Sequence, residues 1–206
     1  SVTDYQIDDG SYSSEDLEQT NDTVINDDVR SEFSELESVL EVYQYIKNNY
    51  TMEFYFGSRK GAVGTSAEKV GNDYDIASLL IGILRDRNIP ARYAKGEIEI
   101  TAEQAMEWTA TDDINVAMRV IAALGIPTTG MVSNGETVAV RLEHIWVEAY
   151  VPYTDYRGTG NRSGERLWIP LDASFKKSTH LDGADIETIN AYMSDESNYL
   201  NENSVI

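Results

Sequence analysis

The spacing of apolar positions changes several times along the chain, and each change marks a different element. From Glu32 to Asn49, Phe33, Leu36, Val39, Leu40, Val42 and Ile46 recur mostly at threes and fours. That spacing predicts an amphipathic helix with Ser31 or Ser34 near its start. The next stretch, YTMEFYFGSRKGAVGT (50–65), is aromatic, then glycine-rich and basic, and reads as an extended segment running into a loop. Gly71-Asn72-Asp73 stops that loop. Ile76, Ala77, Leu79, Leu80, Ile83 and Leu84 then mark a strongly apolar helix over 73–87. Asn88-Ile89-Pro90 ends it, because proline disfavours helix in the residue before it.

Beyond the proline, ARYAKGEIEI (91–100) reads as a strand. Residues 103–124 return to helical spacing in two pieces split near Thr109–Asp113, with Asp112 or Asp113 as N-cap and Gly125-Ile126-Pro127 closing the second piece. TVAVRLEHIWVEAYVPY (137–153) is a long strand that does not keep one parity, which suggests a bulge near Glu143–His144. The polar insert 154–165 reads as a hairpin-type loop, and RLWIPLDASF (166–175) as the returning strand. No internal repeat is visible. Helices come first and an antiparallel sheet afterwards, so the expected class is α+β.

Charge divides the 206 residues into three regions. Residues 1–37 hold 12 acids against one base, Arg30, and residues 182–206 hold six acids and no base. Most of the net −20 therefore sits at the two ends. Residues 1–30 are polar and poor in large apolar groups, so they read as an acidic, linker-like segment that buries too little to offset its ordering entropy. Nothing there has the spacing of a calcium loop. Residues 31–181 form the expected domain. Residues 182–206 form an acidic tail in which Ile186, Ile189, Tyr192 and Met193 suit a short docked helix.

Composition also excludes functions. The acidic balance argues against nucleic acid as a partner, and no apolar run is long enough to form a transmembrane segment. With no cysteine there is no disulfide, no thiolate metal site and no thiol nucleophile. No basic-then-apolar signal opens the sequence, so a processed chain or a fragment is expected.

Three residues suggest a site. Asp73 begins the apolar helix, His144 lies within the long strand beside Trp146 and Glu148, and Asp172 ends the next strand. A carboxylate on a neighbouring strand fixes an imidazole's tautomer and orientation. A helix N-terminus facing that pair is where a nucleophile or oxyanion is stabilised.

The segments GNDYDIASLLIGILRDRNIPARY, EHIWVEAYV and LWIPLDASF resemble, in order and separation, three motifs of the transglutaminase-like superfamily. That resemblance covers roughly residues 38–181 and implies a papain-like fold with the apolar helix packed on an antiparallel sheet. It places the family's histidine on His144 and its triad aspartate on Asp172. Its nucleophilic cysteine, four residues before the helix alanine Ala77, falls on Asp73, giving a degenerate triad. The insert between Ile100 and Thr137 is similar to a subgroup found in large bacterial cell-surface proteins.

Transglutaminase chemistry passes through a thioester, which needs a thiolate. A carboxylate would form a high-energy anhydride instead, and Ser78 lies more than one turn further along the helix. The expectation is a domain without cysteine-dependent acyl transfer, acting as a protein- or peptide-binding or structural module of a larger bacterial extracellular or cell-surface protein. The alternative is a hydrolase or transferase using Asp73, His144 and Asp172, with or without a divalent metal held by those three. No other cofactor is expected. Asp73 also suits plain helix capping, and a meeting with His144 would raise the imidazole pKa.

Several other residues have two readings. Trp146 and Trp168 suit packing on the histidine or in the core, and Trp146 with Tyr55 are the candidates for substrate contact. Tyr50, Phe54, Tyr55 and Phe56 fit either a cleft lining or a core. Arg92 suits pairing with Glu148 or another acid of the sheet. His180 reads as a surface residue, and Arg59-Lys60 as a solvated loop or a contact for an acidic partner.

Overall fold

The computed structural model describes residues 10–152 and 166–174. The expected hairpin-type loop, the tail with its docked helix, and His180 lie outside the described residues.

Helix α1 (Asp27–Glu32) starts at an Asn26 cap, and α2 (Val39–Asn49) at a Ser38–Glu41 capping box. The helix expected over 32–49 thus begins only at Val39, after α1 has ended at Glu32, and neither Ser31 nor Ser34 caps it. The break has a physical cause: the Arg87 guanidinium donates to the carbonyls of Phe33 and Leu36, satisfying backbone groups that a continuous helix would consume. The glycine-rich stretch, expected as loop, contains helix α3 (Gly61–Glu68). Its first turn is fixed from outside, where the Ala62 N–H donates to the Asp22 carbonyl at 2.7 Å.

Strand β1 (Thr51–Met52) pairs in parallel with β2 (Val70–Gly71), delivering the chain to helix α4 (Asp73–Asp86). Ile76, Leu79, Leu80, Ile81, Ile83 and Leu84 of α4 are all buried. A helix apolar on every side is a central one.

Residues 19–30 depart from the linker-like expectation, whereas none of residues 10–22 is buried. Thr23, Ile25 and Val29 are buried, and the Gln19 side chain donates to the Gly82 carbonyl at 2.8 Å. A Cβ on Gly82 would lie 2.1 Å from the Thr23 carbonyl oxygen, so the segment crosses α4 where that helix has no side chain. Arg30 pairs with Asp86 on the same helix. Composition hides this because few residues do the anchoring. Ile25 and Val29 together contribute on the order of 3–6 kcal/mol of burial at most.

The main sheet contains β3 (Ala91–Thr101), β4 (Thr128–Ser133), β5 (Glu136–Pro152) and β6 (Arg166–Leu171). All pairings are antiparallel: β3 lies along one edge of β5, and β4 and β6 pair with successive halves of it. The β3–β5 register runs unbroken through Gly96↔His144, so no bulge interrupts it at Glu143–His144. The irregularity lies between Met131 and Val132 of β4, opposite Val138. Parity changes for another reason, because two hydrophobic clusters share β5. Val147, Ala149 and Val151 join the main cluster with α4, whereas Val140 and Leu142 join a smaller one with α5 (Ala102–Thr109) and α6 (Ile114–Ala123). Since side chains alternate along a strand, odd and even positions face different cores. Asp113 is the α6 cap. Helices with an antiparallel sheet give the α+β class expected.

Candidate functional site

Asn72, not Asp73, caps α4. Its Oδ1 accepts the Asp75 N–H at 2.8 Å, and its Nδ2 donates to the carbonyls of Tyr55 and Gly57. Asp73 is the first helical residue, where the positive end of the helix dipole favours a carboxylate. Its Oδ1 accepts the Tyr74 N–H and its Oδ2 the Ile145 N–H, each at 2.9 Å. That second bond crosses from the helix to a stretch of β5 lying between the segments paired with β4 and β6.

The three residues singled out from the sequence meet in a line. Asp73 Oδ2 lies 3.1 Å from His144 Nδ1, and Asp172 Oδ2 lies 2.9 Å from Nε2. Ser174 completes the far side, its hydroxyl donating to Asp172 Oδ1 at 2.6 Å and its N–H reaching the same oxygen. His144 is 1% exposed. Burial of the ring works against its charge, but the fields and hydrogen bonds of Asp172 and Asp73 outweigh it and raise the imidazole to about 9. Burial likewise pushes the Asp172 carboxyl up, yet the imidazolium and Ser174 hold it below the usual carboxylate range. The His144 imidazolium and the Asp172 carboxylate favour each other's charged form.

The carboxylates meet different ring nitrogens, so the three side chains do not converge on one point. Among the described residues no group of three His, Asp or Glu side chains is placed to hold a metal ion.

Beside Asp73 a cleft of about 210 Å³ opens, lined by Tyr55, Phe56, Tyr74, Lys95, Ile126, Glu143 and Ile145 among others. Tyr55 thus lines the cleft. Trp146 is not part of this lining: it lies near-parallel to His144 with ring centres 6.3 Å apart, and covers Gly96, whose Cβ position is 2.7 Å from the indole. Trp168 is fully buried with the Arg92 guanidinium 4.0 Å above its ring, and Arg92 pairs with Glu148 at 2.7 Å.

The cleft wall depends on one further carboxylate of α4. Asp75 is 0% exposed and accepts from Tyr55 Oη (2.5 Å), Ser58 Oγ (3.0 Å) and the N–H groups of Arg59, Lys60 and Gly61. A signal was present: Asp75 is a charge one turn before buried Ser78 and Leu79, on an otherwise apolar helix. The Arg59-Lys60 loop, expected as solvated, gives its backbone to this carboxylate. The Lys60 side chain pairs with Glu53 and Glu68.

Compared with known families, residues 23–173 match the family model described as the transglutaminase-like superfamily. Neither a curated protein nor a solved structure matches the chain. The match runs from buried Thr23 to Ala173, just past Asp172, and covers most of the chain. The chain belongs to the transglutaminase-like superfamily.

Proposed function

We propose that this member of the transglutaminase-like superfamily lacks cysteine-dependent acyl transfer, with Asp73 standing where the family's nucleophile would be. On this reading it serves as a protein- or peptide-binding or structural module of a larger bacterial extracellular or cell-surface protein. The observation that carries the reading is the ion-paired line Asp73–His144–Asp172 in a chain without cysteine.

Three physical points support it. An imidazole held between two carboxylates and raised to about 9 is protonated at neutral pH, so it has no lone pair with which to act as a base. The Asp73 oxygens already accept two backbone N–H groups and face the imidazolium, which lowers their nucleophilicity. Attack by a carboxylate on an amide would yield an anhydride, a poor intermediate beside a thioester. The same geometry weighs against the rival reading of a hydrolase or transferase working through these three residues. The extracellular setting draws on the resemblance of the insert between Ile100 and Thr137 to a subgroup found in large bacterial cell-surface proteins.

The test is an assay of amine incorporation into, and ammonia release from, glutamine-containing peptides. No turnover above background is expected. Turnover that disappears in His144→Ala would overturn the reading.

A further inference from the structure

Resting on the reading of this chain as a peptide-binding module, we propose that β4 is a docking edge. Its occupant is an extended, uncharged segment of a partner protein that joins the sheet as a further strand. Among the described residues β4 pairs only with β5, so the backbone groups along its outer edge present a template for another strand. Natural edge strands are usually guarded by charge, proline or covering elements. Here residues 120–135 form the longest charge-free run of a chain in which one residue in four is charged.

The surface around that edge is apolar as well. Of the seven large hydrophobic residues exposed among the described residues, Val120, Val132, Val138 and Phe56 belong to this region. Val132 is 66% exposed, and Val138, at 50%, is the extra residue of the bulge opposite Met131/Val132. Phe56 stands next to Gly125. Both Phe56 and Ile126, two residues ahead of β4, line the cleft beside Asp73, so an added strand runs toward that cleft.

Two features choose the occupant. Unpaired backbone groups along a strand are satisfied by an extended segment and not by a helix. A second copy of this chain brings a further net −20 against the first, a repulsion that an uncharged segment avoids.

The probe is an acetylated octapeptide of alternating threonine and valine with two lysines appended for solubility. Its control carries proline at alternate positions and the same lysines. Amide hydrogen exchange on the full chain is followed with each. The alternating peptide is expected to protect amides within 128–133 and the control is not. Val132→Lys, a surface change, is expected to weaken binding about tenfold or more. Three results would overturn the proposal: equal binding of the control, binding indifferent to Val132→Lys, or protection of the β4 edge before any peptide is added. In the last case sedimentation separates a second copy from an intramolecular occupant. Acyl-transfer turnover would sink the parent reading without altering these amides, so the two fail separately.

Discussion

Replacing Asp75 with asparagine keeps the shape of the side chain and removes its charge and one acceptor. In the folded protein five donors converge on this buried carboxylate: the Tyr55 and Ser58 hydroxyls and the N–H groups of Arg59, Lys60 and Gly61. Asparagine offers one carbonyl oxygen, and its NH2 group then faces groups that also donate. A lost hydrogen bond to a charged group costs roughly 1.5–3 kcal/mol, and a buried donor left unsatisfied costs about 1–3 kcal/mol. These terms do not add fully, because the hydroxyls rotate and part of the 53–60 loop reaches water. Burial pushes the Tyr55 hydroxyl up, and its bond to Asp75 adds to this, so Tyr55 remains a donor needing a partner. We expect Asp75→Asn to destabilise the domain by about 3 kcal/mol. For a chain of this size that lowers Tm by roughly 6–12 °C. Urea titration at neutral pH measures the loss, and Tyr55→Phe alone and combined with Asp75→Asn measures the coupling. A change below about 0.5 kcal/mol, the range of ordinary surface substitutions, would refute the argument that this carboxylate organises the cleft wall.

Two further outcomes follow from the clamp and from the crossing segment. The folded-state pKa of His144 stands above its ordinary value, at about 9, so its ion pairs stabilise fully below about pH 6.5 and fade as pH rises through about 9. The displacement corresponds to about 3 kcal/mol. Asp172 is shifted the opposite way, so its contribution is lost as pH falls through its lowered value. Thermal melts from pH 6 to 10 should show this alkaline loss, and His144→Gln should flatten it. Gly82→Ala places a methyl group against the Thr23 carbonyl and should cost about 3 kcal/mol or lift residues 10–30 from α4. Limited proteolysis of that segment, compared with the parent chain, reads the difference.

The parts legible in the sequence were those written in local spacing or local chemistry. The apolar run of α4, the strand alternation after Pro90 and the Asp113 cap each depend on residues close together in the chain. Asp73, His144 and Asp172 stand in one line because each sits within or at the end of a regular element whose packing is fixed by its apolar face. Distant partners supplied the rest. Helix α3 looked like a loop because Gly61 and Gly64 weaken helical propensity, and its first turn is held by the Asp22 carbonyl. The break after α1 depends on Arg87, more than fifty residues away. Asp75 showed itself as a misplaced charge, yet nothing local says which five donors gather around it. The role of Asn72 as cap was obscured by Asp73 next to it, an equally good capping type.

The pairing Thr101↔Ala139 brings the two ends of residues 102–138 together. Helices α5 and α6 and strand β4 lie between two residues that pair across β3 and β5, so the excursion begins and ends at one place in the sheet. The remaining fold meets it along β3 and β5 and through Met52, Phe54 against Trp108 and Phe56 against Gly125. Its smaller hydrophobic cluster is built largely from its own residues and from the strand segments that bracket it, so its core can vary independently of the one around α4. A substitution inside the excursion is therefore absorbed first by its own smaller core, at a distance from the line Asp73–His144–Asp172.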